Sequence, residues 1–165
     1  MRQVEAFRIY KSRYASSALS GEGAKKLEGR WHHAGLAVVY CSSSLALAQL
    51  ETLVHLEGAL PPGGFESLSL QFPKTCIGKR VRVSELDEYG FDWRTYPSHE
   101  QLREIGSEWI VSCTSLVMQV PSAVSPAESN YLLNPAHPDF QKIKLGTASP
   151  VKWDSRLLKR LRGTP

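Results

Sequence analysis

Short apolar segments, separated by turn-forming residues, dominate the hydrophobic pattern of this chain. Val4 to Tyr10 predicts a first strand, and Leu36 to Cys41 predicts a second. Phe65 to Phe72 alternates apolar and polar positions well enough to predict a third. Residues 11–35 show little periodicity, which indicates a long loop or a broken helix. Shorter strands are predicted at 116–120, 130–133 and 150–153, with another around Val81.

The most apolar helix is predicted to follow the second strand. One of the serines at 42–44 is expected to cap it, and Gly58 to stop it after about Glu57. Apolar side chains surround almost the whole helix, which predicts that it is buried. Glu51 and His55 are the exceptions, four residues apart and therefore neighbours on its surface. Because burying an unpaired carboxylate is costly, Glu51 requires a partner or a function.

The order of these elements favours an α+β fold. A second helix is predicted at Ser98 to Val111 and a final basic helix after Asp154, and the strands show no regular βαβ alternation. The sequence lacks the glycine motifs that bind phosphate in dinucleotide-binding and P-loop proteins, so side chains would have to hold any nucleotide. Because there is no linker or internal repeat, residues 1–165 are expected to form a single domain.

Composition narrows the class of protein. The chain has 165 residues, of which 42% are hydrophobic and 22% charged, as is ordinary for a globular protein. Its formal net charge of +4 favours an anionic partner without identifying one. No apolar run reaches the ~20 residues that span a bilayer, and the first residues lack the apolar core of a signal peptide. A cytoplasmic protein is therefore expected.

Neither the cysteines nor the histidines show metal-ligand spacing. Cys41, Cys76 and Cys113 are far apart and form no C-x-x-C pair, so we expect buried free thiols. His32 and His33 are adjacent, and the sequence contains no H-E-x-x-H motif. We therefore expect no metal site.

The densest set of candidate functional residues begins at Gly29. Arg30 follows it in a turn, Tyr40 comes at the end of an apolar strand, and Glu51 lies in the apolar helix. A guanidinium can grip phosphate, an aromatic ring can stack on a base, and a sheltered carboxylate can stabilise positive charge on a sugar. Together they suit a nucleotide whose glycosidic bond is to be broken. Arg8, in the first strand, offers a second fork for phosphate or carboxylate.

Each of these residues also has an ordinary structural interpretation. Arg8 is consistent with an exposed strand arginine, and Arg30 with a surface loop cation. Tyr40 is consistent with a core tyrosine whose hydroxyl is satisfied. Glu51 is consistent with an ion pair to one of the two arginines, which would not exclude a function.

A segment dense in turn formers runs from Val120 to Phe140. Read alone, it predicts a structured loop around one strand, with Ser122 and Asn130 as turn or capping residues. The sequence has no G-x-S-x-G motif, and no histidine has the local spacing typical of a Ser-His-Asp hydrolase. The sequence therefore does not favour an enzyme with a serine nucleophile.

Taken in order, these motifs resemble the RES domain family, the toxin half of RES–Xre toxin–antitoxin modules. The matching segments are F-R-I-Y, G-R-W, V-V-Y-C-S-S-S-L-A-L-A-Q-L-E, V-P-S-A, S-N-Y-L-L-N-P-A-H-P-D-F and W-D-S-R-L. The family is named for an arginine, a glutamate and a serine. By resemblance these are Arg30, Glu51 and Ser122, with Tyr40, Asn130 and Arg8 as further site residues. The family often has asparagine after G-R-W, where this chain has His32, so a polar contact there is expected to differ.

The resemblance implies an ADP-ribosyltransferase-like α+β fold, with a split β-sheet core and flanking helices around an NAD-binding cleft. It implies an enzyme that takes NAD as a substrate rather than as a cofactor. This enzyme would cleave the nicotinamide–ribose bond by hydrolysis or phosphorolysis and so arrest growth. The implied partner is an Xre-type helix-turn-helix antitoxin that blocks the site in a hetero-oligomeric complex. Membrane contact and direct nucleic-acid binding by this chain are not expected.

The resemblance also suggests a role for each residue. The expected catalytic residues are Arg30, Tyr40 and Glu51, and the expected substrate-binding residues are Arg8, Ser122 and Asn130. The two arginines would hold the diphosphate, and the tyrosine would stack on nicotinamide or its ribose. The glutamate would stabilise the cationic transition state, while the serine and asparagine fix the nicotinamide amide or the ribose.

Two alternatives remain open at this point. A mono-ADP-ribosyltransferase would use the same cleft but transfer ADP-ribose to a protein side chain. A non-enzymatic module would use the basic C-terminal end to bind nucleic acid or another protein, although the sequence has no helix-turn-helix pattern or basic-aromatic stripe.

Overall fold

The structure of the chain is a computed structural model that describes residues 2–56, 60 and 63–161. Within these residues the strands are β1 Gln3–Lys11, β2 Val39–Ser42, β3 Phe65–Pro73, β4 Ile77–Arg80, β5 Val117–Pro121, β6 Ser129–Leu133, β7 Lys144–Leu145 and β8 Ser149–Pro150. The α-helices are α1 Glu22–Lys26, α2 Leu45–Leu53, α3 Val83–Asp87, α4 Glu100–Ser112 and α5 Ser155–Leu161. Short 3₁₀ helices cover Ser12–Ser17, Lys74–Cys76 and Pro138–Lys142.

The eight described strands form one mixed sheet. Its order is β4-β5-β6-β2-β1-β3-β7, and β8 also pairs with β3. The β4–β5 pair is parallel, whereas β1 pairs antiparallel with both β2 and β3. The strand order places β1, β2 and β6 side by side, although they are far apart in sequence. These three strands contain Arg8, Tyr40 and Asn130, respectively.

Both faces of the central strands are buried. On β5, Val117 belongs to one apolar cluster and the next residue, Met118, to the other. Leu132 and Leu133 divide in the same way on β6. This division follows from the two-residue period of a strand, which sends successive side chains to opposite faces. The second cluster also contains Trp31, which anchors the loop that carries Arg30.

Helix α4 approaches the backbone of that loop unusually closely. A Cβ atom at Gly106 would lie 1.8 Å from the carbonyl oxygen of Trp31, so only glycine permits this contact. The neighbouring Ser107 Oγ accepts a hydrogen bond of 3.0 Å from the backbone N–H of His33. The helix therefore fixes the position of the loop at Trp31 and His33.

Most of the predicted elements are present, and the α+β class is confirmed. The strands at 4–10, 65–72, 116–120 and 130–133 and the helix at 98–111 are found within one or two residues of the predicted bounds. The aperiodic stretch 11–35 is broken helix, formed by a 3₁₀ segment and α1. As predicted, Asp154 caps α5, because its Oδ1 accepts a hydrogen bond from the backbone N–H of Arg156 at 2.8 Å.

Helix α2 is shorter and less buried than predicted. It starts after Ser44, whose Oγ caps it, and ends at Leu53, whereas residues 57 and 58 lie outside the described part of the chain. Its buried residues are Leu47, Ala48 and Leu53. Leu50 and Val54, in contrast, are 41% and 58% exposed. The prediction of a fully buried helix is wrong because α2 packs on β1 and β2 with one face only.

Three of the predicted strands have different bounds. β2 begins at Val39 rather than Leu36, because the N–H of Leu36 bonds to the carbonyl of His33 in a turn. The strand predicted at 150–153 is reduced to Ser149–Pro150, followed by one bond from Val151 N to Phe65 O. β4 ends one residue before Val81.

The cysteines are free thiols. Cys41 and Cys76 are buried, as expected, but Cys113 is half-buried because it ends α4 in a left-handed conformation with φ of 49°. In the described residues, no cluster of histidine, cysteine and acidic side chains could hold a metal ion. None of the helices in this part of the chain is long and apolar enough to cross a bilayer.

Candidate active site

A cleft of about 910 Å³ opens over the middle of the sheet. It lies between the strands β1 and β2, the loop 27–31, one face of α2 and a segment that contains Arg94 and Tyr96. Five of the six predicted site residues line it, namely Arg8, Arg30, Tyr40, Glu51 and Asn130. Ser122, the sixth, is fully buried behind the cleft wall. The fold therefore brings together residues that are up to 122 positions apart in the sequence.

Glu51 is held from behind by two hydrogen bonds to the same oxygen. Ser122 Oγ donates to its Oε1 at 2.7 Å, and Asn130 Nδ2 donates to the same atom at 2.6 Å. Within the described residues, Oε2 accepts no hydrogen bond and Glu51 forms no ion pair. The carboxylate is therefore oriented by neutral donors, and the predicted ion pair with Arg8 or Arg30 is not formed.

Ser122 orients Glu51 instead of facing the cleft. Its hydroxyl donates to Glu51, and its Oγ accepts hydrogen bonds from the backbone N–H groups of Val124 and Ser125 at 3.1 and 3.0 Å. The donor and both lone pairs of the hydroxyl are thus used. Because the residue has no exposed surface, the structure does not support the predicted direct contact between Ser122 and a substrate.

Asn130 is fixed in turn by a serine of β2. Ser42 Oγ donates to Asn130 Oδ1 at 2.8 Å, which turns the amide nitrogen toward Glu51. Ser42 was considered as the cap of α2, but Ser44 has that role. The chain of donors from Ser42 through Asn130 to Glu51 links β2, β6 and α2, so the carboxylate is positioned by three elements.

Arg8 reaches into the base of the cleft from β1. Its Nε donates to the carbonyl of Ala18 at 2.5 Å and its Nη1 to the carbonyl of Tyr40 at 2.8 Å. Burial lowers the pKa of the Arg8 guanidinium from its ordinary value, although arginine remains charged at neutral pH. Nη2 has no hydrogen-bond partner among the described residues, so part of the fork can still bind a ligand.

Arg30 holds the opposite wall of the cleft through backbone carbonyls. Its Nη1 donates to the carbonyls of Trp93 and Thr95 at 2.6 and 3.0 Å, and its Nη2 donates to that of Arg94 at 3.2 Å. Burial lowers the pKa of Arg30, and the negative charge of Glu51 is the largest effect that opposes this shift. The guanidinium therefore lies within the electrostatic field of Glu51 while its donors fix the segment 93–95.

Tyr40 and His32 form a pair beneath the G-R-W turn, in which His32 is buried and Tyr40 is half-buried. Because His32 Nε2 faces the carbonyls of Ala24 and Leu27 at 3.0 and 3.2 Å, this nitrogen carries the proton. Nδ1 then accepts from the Tyr40 hydroxyl at 2.8 Å, and the hydroxyl oxygen accepts from Trp31 N–H at 3.3 Å. Burial raises the pKa of Tyr40, so the phenol stays neutral. The hydroxyl thus supports the turn and leaves only the ring for the cleft.

Gly29 permits this packing at the start of the turn. A Cβ atom there would lie 2.6 Å from His32 Cε1 and 3.0 Å from the Tyr40 hydroxyl. The departure from the family's asparagine is therefore accommodated under the turn, where His32 is 2% exposed. The sequence predicted a different polar contact at position 32 but not its partners.

Several residues that line the cleft were not predicted as site residues, among them His55, Arg94 and Tyr96. His55 was recognised only as the neighbour of Glu51 on α2. Arg94 and Tyr96 lie in a segment without a recognisable motif, more than 40 residues beyond Glu51 in the sequence. Contacts between residues far apart in sequence, among them the hydrogen bonds from Arg30, bring this segment to the cleft, so no local sequence signal could have found it.

Comparisons with known proteins show the family of the chain. The profile of the RES domain family matches residues 5–154. A curated protein of Yersinia enterocolitica named Toxin Res is 36% identical over 153 residues, covering 92% of this chain and 97% of that protein. A Sphingobium protein named Prs ADP-ribosylating toxin is 36% identical over 148 residues, covering 89% and 91% of the two chains.

A solved structure has the same fold at low sequence identity. It is the toxin–antitoxin complex MbcT–MbcA of M. tuberculosis, with a TM-score of 0.71, 15% identity, and coverage of 99% of this chain and 91% of that chain. At this identity the similarity concerns the fold alone. The profile match over nearly the whole chain and the full-length relatives establish that the chain belongs to the RES domain family.

Proposed function

We propose that the protein is the toxin of a toxin–antitoxin system and that it degrades NAD by cleaving the nicotinamide–ribose bond. The observation that supports this most directly is the setting of Glu51. Its Oε1 is held by Ser122 and Asn130, and the residue lines the same cleft as Arg8 and Arg30. One carboxylate facing two cations across a large cleft suits a substrate with a sugar at one point and phosphates at another.

The reaction requires stabilisation of positive charge on the ribose. When the glycosidic bond breaks, its electron pair leaves with nicotinamide, which becomes neutral, and the ribose C1′ develops oxocarbenium character. Nicotinamide is already a cationic leaving group, so no general acid is needed. Glu51 stabilises the cation and accepts a hydrogen bond from a ribose hydroxyl. The acceptor, water or phosphate, then bonds to C1′ through oxygen and releases its proton.

The other residues hold the two ends of the dinucleotide. The free Nη2 of Arg8 and the charge of Arg30 attract the diphosphate, and the Tyr40 ring stacks on nicotinamide or its ribose. Asn130 lines the cleft beside Glu51 and limits where the ribose can lie. Ser122 contributes by fixing the carboxylate. No cofactor takes part in this scheme, because NAD itself is consumed.

Product analysis tests the proposal. Purified protein, free of any partner, is incubated with NAD in the presence and absence of phosphate, and the products are identified by mass spectrometry. We expect free nicotinamide together with ADP-ribose or its 1″-phosphate. Glu51→Gln, which keeps the shape of the side chain, should reduce the rate by about 100-fold or more and leave the melting temperature nearly unchanged. A folded Glu51→Gln protein that consumes NAD at the normal rate would refute the role of Glu51.

A mono-ADP-ribosyltransferase is the second candidate. It is favoured by one observation, the name of the Sphingobium relative, Prs ADP-ribosylating toxin. NAD labelled in its adenylate part separates the two reactions when incubated with a cell extract. Label in small molecules supports degradation of NAD, and label retained on a protein band supports transfer.

The proposed partner is a helix-turn-helix antitoxin of the Xre type. This part of the proposal is supported by the relatives named Toxin Res and by the structural similarity to the toxin of the MbcT–MbcA complex. Co-expression with the product of a neighbouring gene of that type should restore growth and yield a complex in size-exclusion chromatography. Full NAD turnover by the purified complex would contradict inhibition by this partner.

A further inference from the structure

The side chain of Tyr96 is exposed to solvent at the edge of the cleft. It is 82% exposed, more than any other large hydrophobic side chain in the described part of the molecule. Its ring belongs to the lining of the cleft. Because this exposed residue lines the cleft, its aromatic face is available to stack on a ligand that enters the cleft.

The backbone that presents Tyr96 is rigid. The three preceding carbonyls are fixed by Arg30, and the Trp93 side chain is buried in the core. Thr95 closes a turn, because its N–H and its hydroxyl both donate to the carbonyl of Asp92, at 3.2 and 2.9 Å. Tyr96 is therefore held in place by the same guanidinium that faces Glu51.

The contact between Tyr96 and His55 indicates which part of a ligand Tyr96 can meet. His55 lies four residues after Glu51, in the turn that follows the end of α2 at Leu53, where its N–H donates to the carbonyl of Thr52 at 3.2 Å. Its ring contacts the Tyr96 ring edge-on, with 6.3 Å between the centroids. Tyr96 therefore contacts the turn after α2 and not Glu51, whose hydrogen bonds in the described residues are to Ser122 and Asn130. The ring of Tyr96 suits the opposite end of an elongated ligand.

The guanidinium of Arg94 lies in the same segment as the Tyr96 ring. Arg94 lines the cleft two residues before Tyr96, and its side chain is 55% exposed. Its Nε and backbone N–H donate to Asp92 Oδ1 at 3.1 and 3.0 Å, which leaves its terminal nitrogens without a hydrogen-bond partner in the described residues. An aromatic face beside a guanidinium is the combination that binds a nucleotide by base stacking and phosphate contact.

We propose that Tyr96 is the stacking platform for the second base of the dinucleotide, the purine, and that Arg94 contacts its phosphate. This inference rests on the proposed function, because it assigns the far end of the same substrate. It makes Tyr96 and Arg94 determinants of specificity for a dinucleotide over a mononucleotide.

Binding of two half-substrates tests the inference independently of turnover. The affinities of ADP-ribose, which contains the purine half, and of nicotinamide mononucleotide, which lacks it, are measured by titration calorimetry. Tyr96→Ala should weaken ADP-ribose binding about tenfold, the usual effect of losing one stacked base. The same variant should bind nicotinamide mononucleotide as the wild type does, and Tyr96→Phe should retain both affinities.

A matched control is available outside the cleft. Tyr14 is also exposed, at 48%, and does not belong to the cleft lining, so Tyr14→Ala should change neither affinity. Three results would overturn the platform. Tyr96→Ala could bind ADP-ribose with wild-type affinity, it could lose affinity for both ligands equally, or the wild type could fail to bind ADP-ribose. NAD turnover is measured in parallel. If the protein binds ADP-ribose through Tyr96 but does not turn over NAD, the proposed reaction is refuted and the platform stands. If it turns over NAD but Tyr96→Ala binds ADP-ribose normally, the platform is refuted and the proposed reaction stands.

Discussion

The two walls of the cleft are built in different ways. The back wall consists of Ser42, Glu51, Ser122 and Asn130, in which side chains bond to side chains. The front wall consists of Arg30 and the segment 92–96, in which a cation bonds to three backbone carbonyls. The back wall therefore depends on the type of residue at each of four positions, whereas the front wall depends on one arginine.

The back wall orients the carboxylate of Glu51 precisely, whereas the front wall attaches the segment 93–95 to Arg30. In the back wall, β2, β6 and α2 together position one carboxylate oxygen. This precision suits an atom that must contact a reacting sugar. In the front wall, the acceptors are the backbone carbonyls of residues 93–95, which every residue type provides, so the hydrogen bonds to Arg30 do not depend on the side chains of these residues. The comparison predicts that conservative changes are tolerated differently in the two walls.

The largest expected effect comes from Arg30→Lys. Lysine keeps the positive charge but has one nitrogen, so it cannot place two nitrogens against the carbonyls of residues 93–95. We expect the rate of NAD consumption to fall about as far as in Arg30→Ala, by 100-fold or so, the typical effect of losing a positioned electrostatic contact. Hydrogen exchange should show faster exchange in segment 93–96 of both variants.

Arg82→Lys serves as the control, because Arg82 is exposed and pairs only with Glu85 of its own helix turn among the described residues. It should leave rate and exchange unchanged. If Arg30→Lys retained near-normal activity, the front wall would depend on charge alone, and its contrast with the back wall would disappear.

The same contrast explains how much of the site could be predicted from the sequence. Glu51 stood out because a carboxylate interrupts an apolar helix, and Ser122 and Asn130 were placed by their resemblance to family motifs. Carbonyl groups are present in every residue, so the partners of Arg30 leave no trace in the sequence. Arg94 and Tyr96 were missed for this reason.

The fold shows a similar limit. Alternating and short apolar segments identified most strands, since burial of one or both faces imposes a pattern on the side chains. The exposure of Leu50 and Val54 could not be predicted, because an apolar face looks the same whether a sheet covers it or not. The split of the residues on β5 between two clusters likewise depends on what packs on each face of the sheet.

The next largest effect is on stability and tests whether the front wall is anchored by the core. Gly106→Ala places a Cβ atom 1.8 Å from the Trp31 carbonyl, so α4 and the G-R-W turn must separate. We expect a loss of about 1–3 kcal/mol in the free energy of unfolding, as is typical of overpacking, measured by urea denaturation. Activity should also fall, since Arg30 belongs to this turn and would move with it.

Gly23→Ala is a matched control in α1. A Cβ atom there would meet nothing within 4 Å, and alanine favours helix, so its stability should be equal or higher. If Gly106→Ala were as stable as Gly23→Ala, the close contact between α4 and the turn would not exist in solution.

Graded losses are expected along the back wall. Ser122→Ala removes one of the two donors to Glu51 and leaves the N–H groups of Val124 and Ser125 without their acceptor. We expect about a tenfold loss of rate and a loss of about 1–3 kcal/mol in the free energy of unfolding, because three hydrogen bonds of the Ser122 hydroxyl are removed. Ser42→Ala removes only the bond that orients Asn130, so its loss of rate should be smaller. Equal losses in both variants would indicate that the network acts as a unit.

The smallest expected effect concerns the pH dependence of the histidine beneath the turn. Burial lowers the pKa of His32 below its ordinary value of 6.5, so the unfolded chain binds a proton more readily than the folded one in the window just below 6.5. The free energy of unfolding should therefore fall as the pH falls through this window, and His32 should contribute no pH dependence above it. His32→Asn removes this contribution, because an amide does not titrate in this range, while its oxygen can still accept from the Tyr40 hydroxyl in place of Nδ1. Urea denaturation of both proteins from pH 7.5 to 5 measures the difference. The stability advantage of the wild type should shrink toward the acidic end, while a difference that stays constant with pH would show that His32 supports the turn by shape alone.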